Sequence, residues 1–314
     1  MPTEQLELLP LSEKRRDEAT SALTVNSSLH KAVEAFHAHM LRQDLSQHTI
    51  RAFDSDLRLL TSFVGQRTPI SHISSDRLEA FLKYLRYERG VPCKLKSLAR
   101  RLTTLKVFFG WLSREGAIPT DPAAPLVHHR ATTPLPHVLS EQETDALLEV
   151  TNRLRTDVET RDARPHLLVT LLLSTGIKKG ECMNIALTDI DTSDPNAALV
   201  FIRYESVKQR YKERKLRLSP PFAMVLPEYL AQYKPDDKLF ECTARNLEYV
   251  LDHCSVQAGL PARALSFETL RWTCAVRNLK EGMDEDALRR KLGLSHITWA
   301  ETLDKLRRLI QPAL

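Results

Sequence analysis

The side chains in this 314-residue chain best suited to chemistry are cations gathered in four places, and the chemistry they suit is the binding of phosphate. Between Lys83 and Lys106 stand Lys83, Arg86, Arg89, Lys94, Lys96, Arg100, Arg101 and Lys106, against Glu88 alone. Such a density of one charge is an electrostatic footprint for a nucleic-acid backbone. A second group, Lys208-Gln209-Arg210-Tyr211-Lys212-Glu213-Arg214, falls between two short β-like stretches. Lys178 follows Ser174-Thr175-Gly176-Ile177 and precedes Glu181, and Arg271 stands beside Trp272. Each group also has a plainer account. A basic run is also a solvated helix face, and hairpin-tip lysines are also ordinary solvated charge. Lys178 also fits as a cap after Gly176, and Arg271 also fits as a partner of Glu268 or Glu301.

The elements that must position these cations are mostly helical. Apolar residues recur at three- and four-residue steps through 28–116 and are broken by capping residues. The spacing predicts a helix over Leu29–Arg42, a second capped by Ser46, a third capped by Ser74 or Ser75, and a fourth over Leu95–Arg114. Together these four make a helical bundle. Residues 1–27 read as a flexible extension. The prolines 119, 122, 125, 134 and 136 mark an extended linker over 117–136. Fully stretched, about 20 residues reach roughly 65 Å, enough to pass beside a duplex and place a domain on each side.

Beyond the linker, Ser140 with Glu143 three residues later is a capping-box signature. Helices are expected to about Arg155, over 164–174, over Pro220–Tyr233, and over 246–257, 267–282, 284–292 and 298–310. Short strands are expected over 198–204 and 215–219. The domain at 137–314 is therefore mixed α+β with a small sheet.

Composition narrows the classes. Charged residues at 27% and hydrophobic residues at 42% describe a globular chain. No apolar run approaches the roughly 20 residues of a membrane span, so no membrane association is expected. The five cysteines, Cys93, Cys182, Cys242, Cys254 and Cys274, are scattered with no C-x-x-C pair. That pattern argues against a metal site or disulfide framework and suits a reducing cytoplasm. Net charge is +5; residues 1–134 hold 19 lysines and arginines against 14 acids, whereas 135–314 balance at 26 and 26. The excess lies in the amino-terminal half.

The stretch Ser174-Thr175-Gly176-Ile177-Lys178-Lys179-Gly180-Glu181 resembles the first catalytic box of the tyrosine recombinase (phage integrase) family, T-G-[LI]-R-x-x-E, with lysine in place of arginine. Thr269-Leu270-Arg271-Trp272 resembles the second box, and Leu292-Gly293-Leu294 the third. Ser46-x-x-Thr49-Ile50-x-x-Phe53-x-x-Asp56-Leu57, the junction Gly116 to Ala123, and Leu135-Pro136-x-x-Leu139-Ser140 are similar to the family's core-binding domain and its exit. The resemblance runs from about Leu29 to Leu309. It implies a mainly α fold, with a four-helix SAM-like core-binding bundle followed by a catalytic-type domain carrying a small sheet.

Family chemistry is metal-free phosphoryl transfer. A tyrosine hydroxyl attacks the scissile phosphodiester, two arginines and a histidine or tryptophan hold the nonbridging oxygens, and a hairpin lysine protonates the leaving oxygen. Fixed donors aimed at developing charge carry much of such a rate. No metal or cofactor is expected. Mapped onto this chain, Lys178 keeps the charge of the first arginine but loses its planar fork. Arg271 matches, and the hairpin lysine is Lys208 or Lys212. Glu268 stands for histidine, Leu294 for a donor, and Leu303 for the nucleophilic tyrosine; no tyrosine follows Tyr249.

The resemblance thus implies a duplex-DNA-binding pseudoenzyme, cytoplasmic and nucleoid-associated. It would serve as an accessory subunit in recombination or integration beside an active recombinase, as in a mobile element. The DNA contacts expected are Lys94, Lys96, Arg100, Arg101, Lys106, Lys178, Lys208, Arg210, Lys212, Arg214 and Arg271. Two alternatives stay open. One is an active recombinase using Tyr249, Tyr211 or a nucleophile donated by a neighbouring subunit. The other is a protein-interaction module assembling through its carboxyl-terminal helix, whose apolar face fits self-association and packing on its own domain equally well.

Overall fold

Small hydroxyl side chains set where the helices begin. In the computed structural model, which describes residues 23–43, 45–127, 134–159, 161–194, 196–261 and 264–311, Ser28, Ser46 and Ser74 each accept a backbone N–H from the first turn that follows. They start α1 (Leu29–Arg42), α2 (Gln47–Val64) and α3 (Ser75–Lys83); α3 runs on into a wider turn over Tyr84–Glu88. The fourth helix, α4 (Leu95–Arg114), completes the bundle. Its core is aromatic: Phe36 meets Phe108 edge-on with centroids 5.3 Å apart and lies 5.2 Å from the Trp111 ring. The described residues up to 127 form one compact unit and those from 134 onward the other.

Two expectations change at the borders of the first unit. Residues 1–22 of the expected extension lie outside the described residues, but its end is tied down: Ser71 N–H donates to Val25 O at 3.2 Å and Ile70 N–H to Ser27 O at 2.9 Å. The expected linker begins inside the bundle's core. Ala117, Ile118, Ala123 and Leu126 are buried there, and Ser75 Oγ donates to Pro122 O at 2.9 Å. The prolines break helical periodicity, but the alanines and isoleucine between them are apolar enough to pack. Residues 128–133 lie outside the described residues.

The second unit is built around a helix with no polar face. Residues 165–173 of α6 (Arg164–Thr175) are all buried, as expected of a helix that is hydrophobic all round. It packs against α5 (Glu141–Thr156), α8 (Pro220–Tyr233), α9 (Ala244–Gln257) and α10 (Phe267–Lys280). The capping box at Ser140 and Glu143 forms as read from the sequence. The sheet is antiparallel in the order β1 (Ile190–Asp191), β2 (Leu199–Ile202), β3 (Arg214–Arg217), with Val200 opposite both Ile190 and Leu216.

Strand β3 starts one residue earlier than expected because Arg214 pairs with Ile202. A short helix, α7 (Lys179–Met183), was not expected; it begins where the Glu181 carboxylate accepts the Lys178 backbone N–H at 2.8 Å. Two further helices, α11 (Glu285–Lys291) and α12 (His296–Ile310), form a separate apolar cluster with α10, in which Trp299, Leu288 and Leu306 are buried. The apolar face of α12 is thus turned onto its own unit. Among the described residues no helix is long and apolar enough to cross a membrane.

Candidate functional site

Two glycines bring the cations of the second unit together. Helix α6 ends at Gly176, whose φ of +61° lies in the left-handed region that favours glycine. A Cβ there would also stand 3.1 Å from Cys274 Sγ and from a methyl of Leu292. The missing side chain lets the end of α6 approach α10, and Arg271 Nη1 donates to Gly176 O across that contact. Arg271 Nη2 donates to Leu292 O at 2.7 Å. At Gly293, with φ +60°, a Cβ would lie 2.6 Å from Arg214 Nη1. Lys178 Nζ donates to Gly293 O at 3.4 Å. Lys178 and Arg271 therefore hold neighbouring carbonyls of one turn.

Both cations line a cleft of about 790 Å³ with Glu268, Leu294, Trp272 and Tyr249. Burial pulls the Lys178 ammonium below the ordinary lysine range; Glu181 counters this, while Arg271, Lys212 and Arg214 add to it. Burial likewise lowers Arg271, partly offset by Glu181. Two of the five N–H donors of Arg271 are spent on main-chain carbonyls. Glu268 is exposed in the first turn of α10, where a carboxylate favours the helix dipole. Leu294 and Leu303 both pack against the α10–α12 cluster.

The hairpin cations part company. Lys208 and Arg210 are exposed, and Lys212 is half-buried, close enough to the cleft for its charge to act on Lys178. Arg214 points inward instead, its side chain only 9% exposed and that of Glu181 3%. Its Nη2 donates to Glu181 Oε2 at 2.9 Å, its Nη1 to Glu181 Oε1 at 3.2 Å and to Lys212 O at 3.0 Å, and its Nε to Lys291 O at 2.7 Å. Burial pushes the Glu181 carboxyl up, but Arg214, the Tyr204 hydroxyl and the Lys178 amide together hold it below its ordinary value. Arg214 is thus an interior clasp between the hairpin and α7, where the sequence suggested a DNA contact.

In the first unit a similar correction applies to part of the basic stripe. Asp56, 2% exposed, pairs with Arg100 and with Arg101 at 3.4 Å, and accepts from Thr104 Oγ1 at 2.9 Å. Arg101 is 13% exposed and also donates to Cys93 Sγ, so its guanidinium serves the core. Lys106 Nζ donates to Ala124 O at 3.1 Å. Lys94, Lys96 and Arg100 remain exposed.

Apart from Tyr249, named as a candidate nucleophile, sequence reading missed the helix face that closes the cleft. Arg245, Glu248, Tyr249 and Asp252 of α9 all line it, at the spacing of one helical face. Glu248 accepts from Lys179 at 2.8 Å and Arg245 at 3.3 Å, and Arg245 lies 4.7 Å over the Tyr249 ring. That spacing was legible in the sequence, but nothing local linked it to Lys178. Among the described residues no group of three or more His, Cys, Asp and Glu side chains could hold a metal.

Comparison with known proteins gives this geometry a context. Over 166 residues the chain is 31% identical to the tyrosine recombinase XerC of Mycobacterium sp. (strain JLS), covering 52% of this chain and 55% of that one. In that comparison the chain spans about half of the relative's length. Against XerC of Roseiflexus sp. (strain RS-1) it is 28% identical over 284 residues, 85% of this chain and 86% of that one. The fold matches the crystal structure of a lambda integrase dimer bound to a COC′ core site, with a TM-score of 0.70 at 14% identity, covering 96% and 85% of the two chains. It also matches XerH site-specific recombinase bound to palindromic difH substrate in a post-cleavage complex, with a TM-score of 0.69 at 17% identity, covering 89% and 81%. Residues 33–116 match the family model for the phage integrase N-terminal SAM-like domain. With residues 137–302, more than half its length, matching the phage integrase family itself, the chain belongs to that family.

Proposed function

We propose that this protein binds duplex DNA through exposed cations in each unit and does not cleave it, acting as an accessory subunit in recombination or integration. Strand cleavage in this family needs an oxygen nucleophile to attack phosphorus while the 5′-oxygen departs. The observation that carries the reading is Leu303: at the nucleophile's place, nine residues beyond Leu294, stands an alkyl side chain packed into the α10–α12 cluster. It offers no lone pair to phosphorus. Leu294 removes a donor to the phosphate, and Glu268 sets a carboxylate at the cleft where a phosphate oxygen would be repelled. Lys178 and Arg271 still present positive charge there, and Lys94, Lys96, Lys208 and Arg210 supply exposed charge. An active recombinase of the same family would supply the cutting subunit.

One observation favours a second reading. Tyr249, 59% exposed, shares the cleft with Lys178 and Arg271, so its hydroxyl is the candidate for a non-standard nucleophile. A nicked suicide duplex, which traps a covalent intermediate by losing its free 5′-hydroxyl fragment, separates the two. The expected result is a shifted band on a native gel and no protein-linked strand on a denaturing gel. A linked strand that disappears in Tyr249→Phe would establish the second reading and end the first.

A further inference from the structure

Two features of the cleft bear on what besides a phosphate backbone it could hold. The first is its lining: Leu265, Phe267, Trp272 and Leu294 present apolar surface beside the cations, and a phosphodiester, rich in acceptors, gains nothing from them. The second is the state of the cations. Lys178 and Arg271 donate to the adjoining carbonyls of Gly293 and Leu292 and form no ion pair with a carboxylate among the described residues. The nearby Glu181 carboxylate offsets part of their burial without pairing with either, so their charge is only partly compensated, and a pocket of about 790 Å³ is within the size range that organic ligands occupy.

The charge of the ligand is bounded from the other side. Glu248, Asp252 and Glu268 also line the cleft. Glu248 is already neutralised by Lys179 and Arg245, but Glu268 is exposed, and its carboxylate opposes a second negative charge on an entering molecule. We infer that the cleft binds an aromatic monoanion. Its ring system lies against Trp272, Phe267 and Leu294, and its carboxylate or sulfonate is held by Lys178 and Arg271. Tyr249, Ser266 and Thr302 add hydroxyls at the same cleft, which suits a ring bearing one further polar substituent. This site goes beyond the DNA reading and stands whether or not the protein binds DNA.

The test uses 8-anilinonaphthalene-1-sulfonate as the probe, titrated into the full-length protein without DNA, following dye emission and tryptophan quenching. A saturable one-site isotherm is expected. Lys178→Gln should weaken binding at least roughly tenfold, as loss of a charge-assisted hydrogen bond requires, while Lys178→Arg should hold it within about threefold. Leu294→Asp, checked for a native-like melt, should also lose roughly tenfold or more, and serves in place of Lys178→Gln if that variant fails to fold. The uncharged analogue N-phenyl-1-naphthylamine should bind at least roughly tenfold more weakly. Absence of saturation, unchanged affinity in both folded variants, or equal binding of the uncharged analogue would overturn the inference. So would displacement of the dye by inorganic phosphate at concentrations near the dye's own Kd, which would make this a phosphate site only.

Discussion

At the scale of single residues, the arginine that looks most like a DNA contact, Arg214, is the one the fold can least spare. Its guanidinium and the Glu181 carboxylate are nearly sealed from water, at 9% and 3% exposed. Removing one partner strands the other's charge in the interior. Arg214→Met should therefore cost about 3–5 kcal/mol of stability, read from urea unfolding, whereas Arg210→Met on the exposed hairpin should leave the midpoint unchanged. Lys178 carries the opposite kind of strain. Burial lowers its folded-state pKa from the ordinary 10.5, so the unfolded chain holds that proton more tightly. Keeping the charge reduces stability at neutral pH, and the penalty is relieved as pH rises from the folded-state value toward 10.5. Lys178→Met should melt higher than the parent at pH 7, by roughly 2–4 °C for each kcal/mol relieved. That gap should close as the melt is repeated at rising alkaline pH; a gap that widens instead would contradict the burial argument.

At the scale of elements, the hairpin and α4 divide cations that work outward from cations that work inward. If Arg210 contacts phosphate, Arg210→Ala should reduce the slope of log K against log salt by about 0.9. Arg101→Ala should leave that slope intact and instead destabilise the first unit by uncovering Asp56. The same division explains what the sequence disclosed. Helix α1 spans Leu29–Arg42, as its apolar spacing indicated, and α8 spans Pro220–Tyr233, as expected, because such signals act within a few residues. The clasps were hidden because they are long-range: Arg214 meets Glu181 33 residues away, and Arg100 meets Asp56 44 residues away. Charge alone does not say whether a basic residue faces solvent or a carboxylate. Helix α7 escaped notice although the bond at its start, from the Lys178 amide to the Glu181 carboxylate, spans only three residues, because its cap position holds lysine rather than Ser, Thr, Asp or Asn. The cleft was half legible: Lys178, Arg271, Glu268 and Leu294 followed from the order of the family boxes, whereas Arg245, Thr302 and Leu265 are brought there by tertiary packing alone.

At the scale of the whole molecule, charge and chemistry point the same way. The +5 excess lies within residues 1–134, while 135–314 are balanced and keep their positive charge local, at the hairpin and the cleft. On the proposed reading, a phage integrase family chain with this distribution keeps the means of attracting a phosphate backbone in both units and carries Leu303 at the place of the tyrosine that would attack it. The most direct measurement is the equilibrium affinity of the full chain for a duplex across a series of salt concentrations, with the DNA recovered under denaturing conditions after each titration. The expected result is a linear fall of log K with log salt, with a slope near −0.9 for each phosphate neutralised, and strands recovered at their original length, free of protein. Affinity indifferent to salt, or a strand returning cut or bonded to the chain, would contradict it.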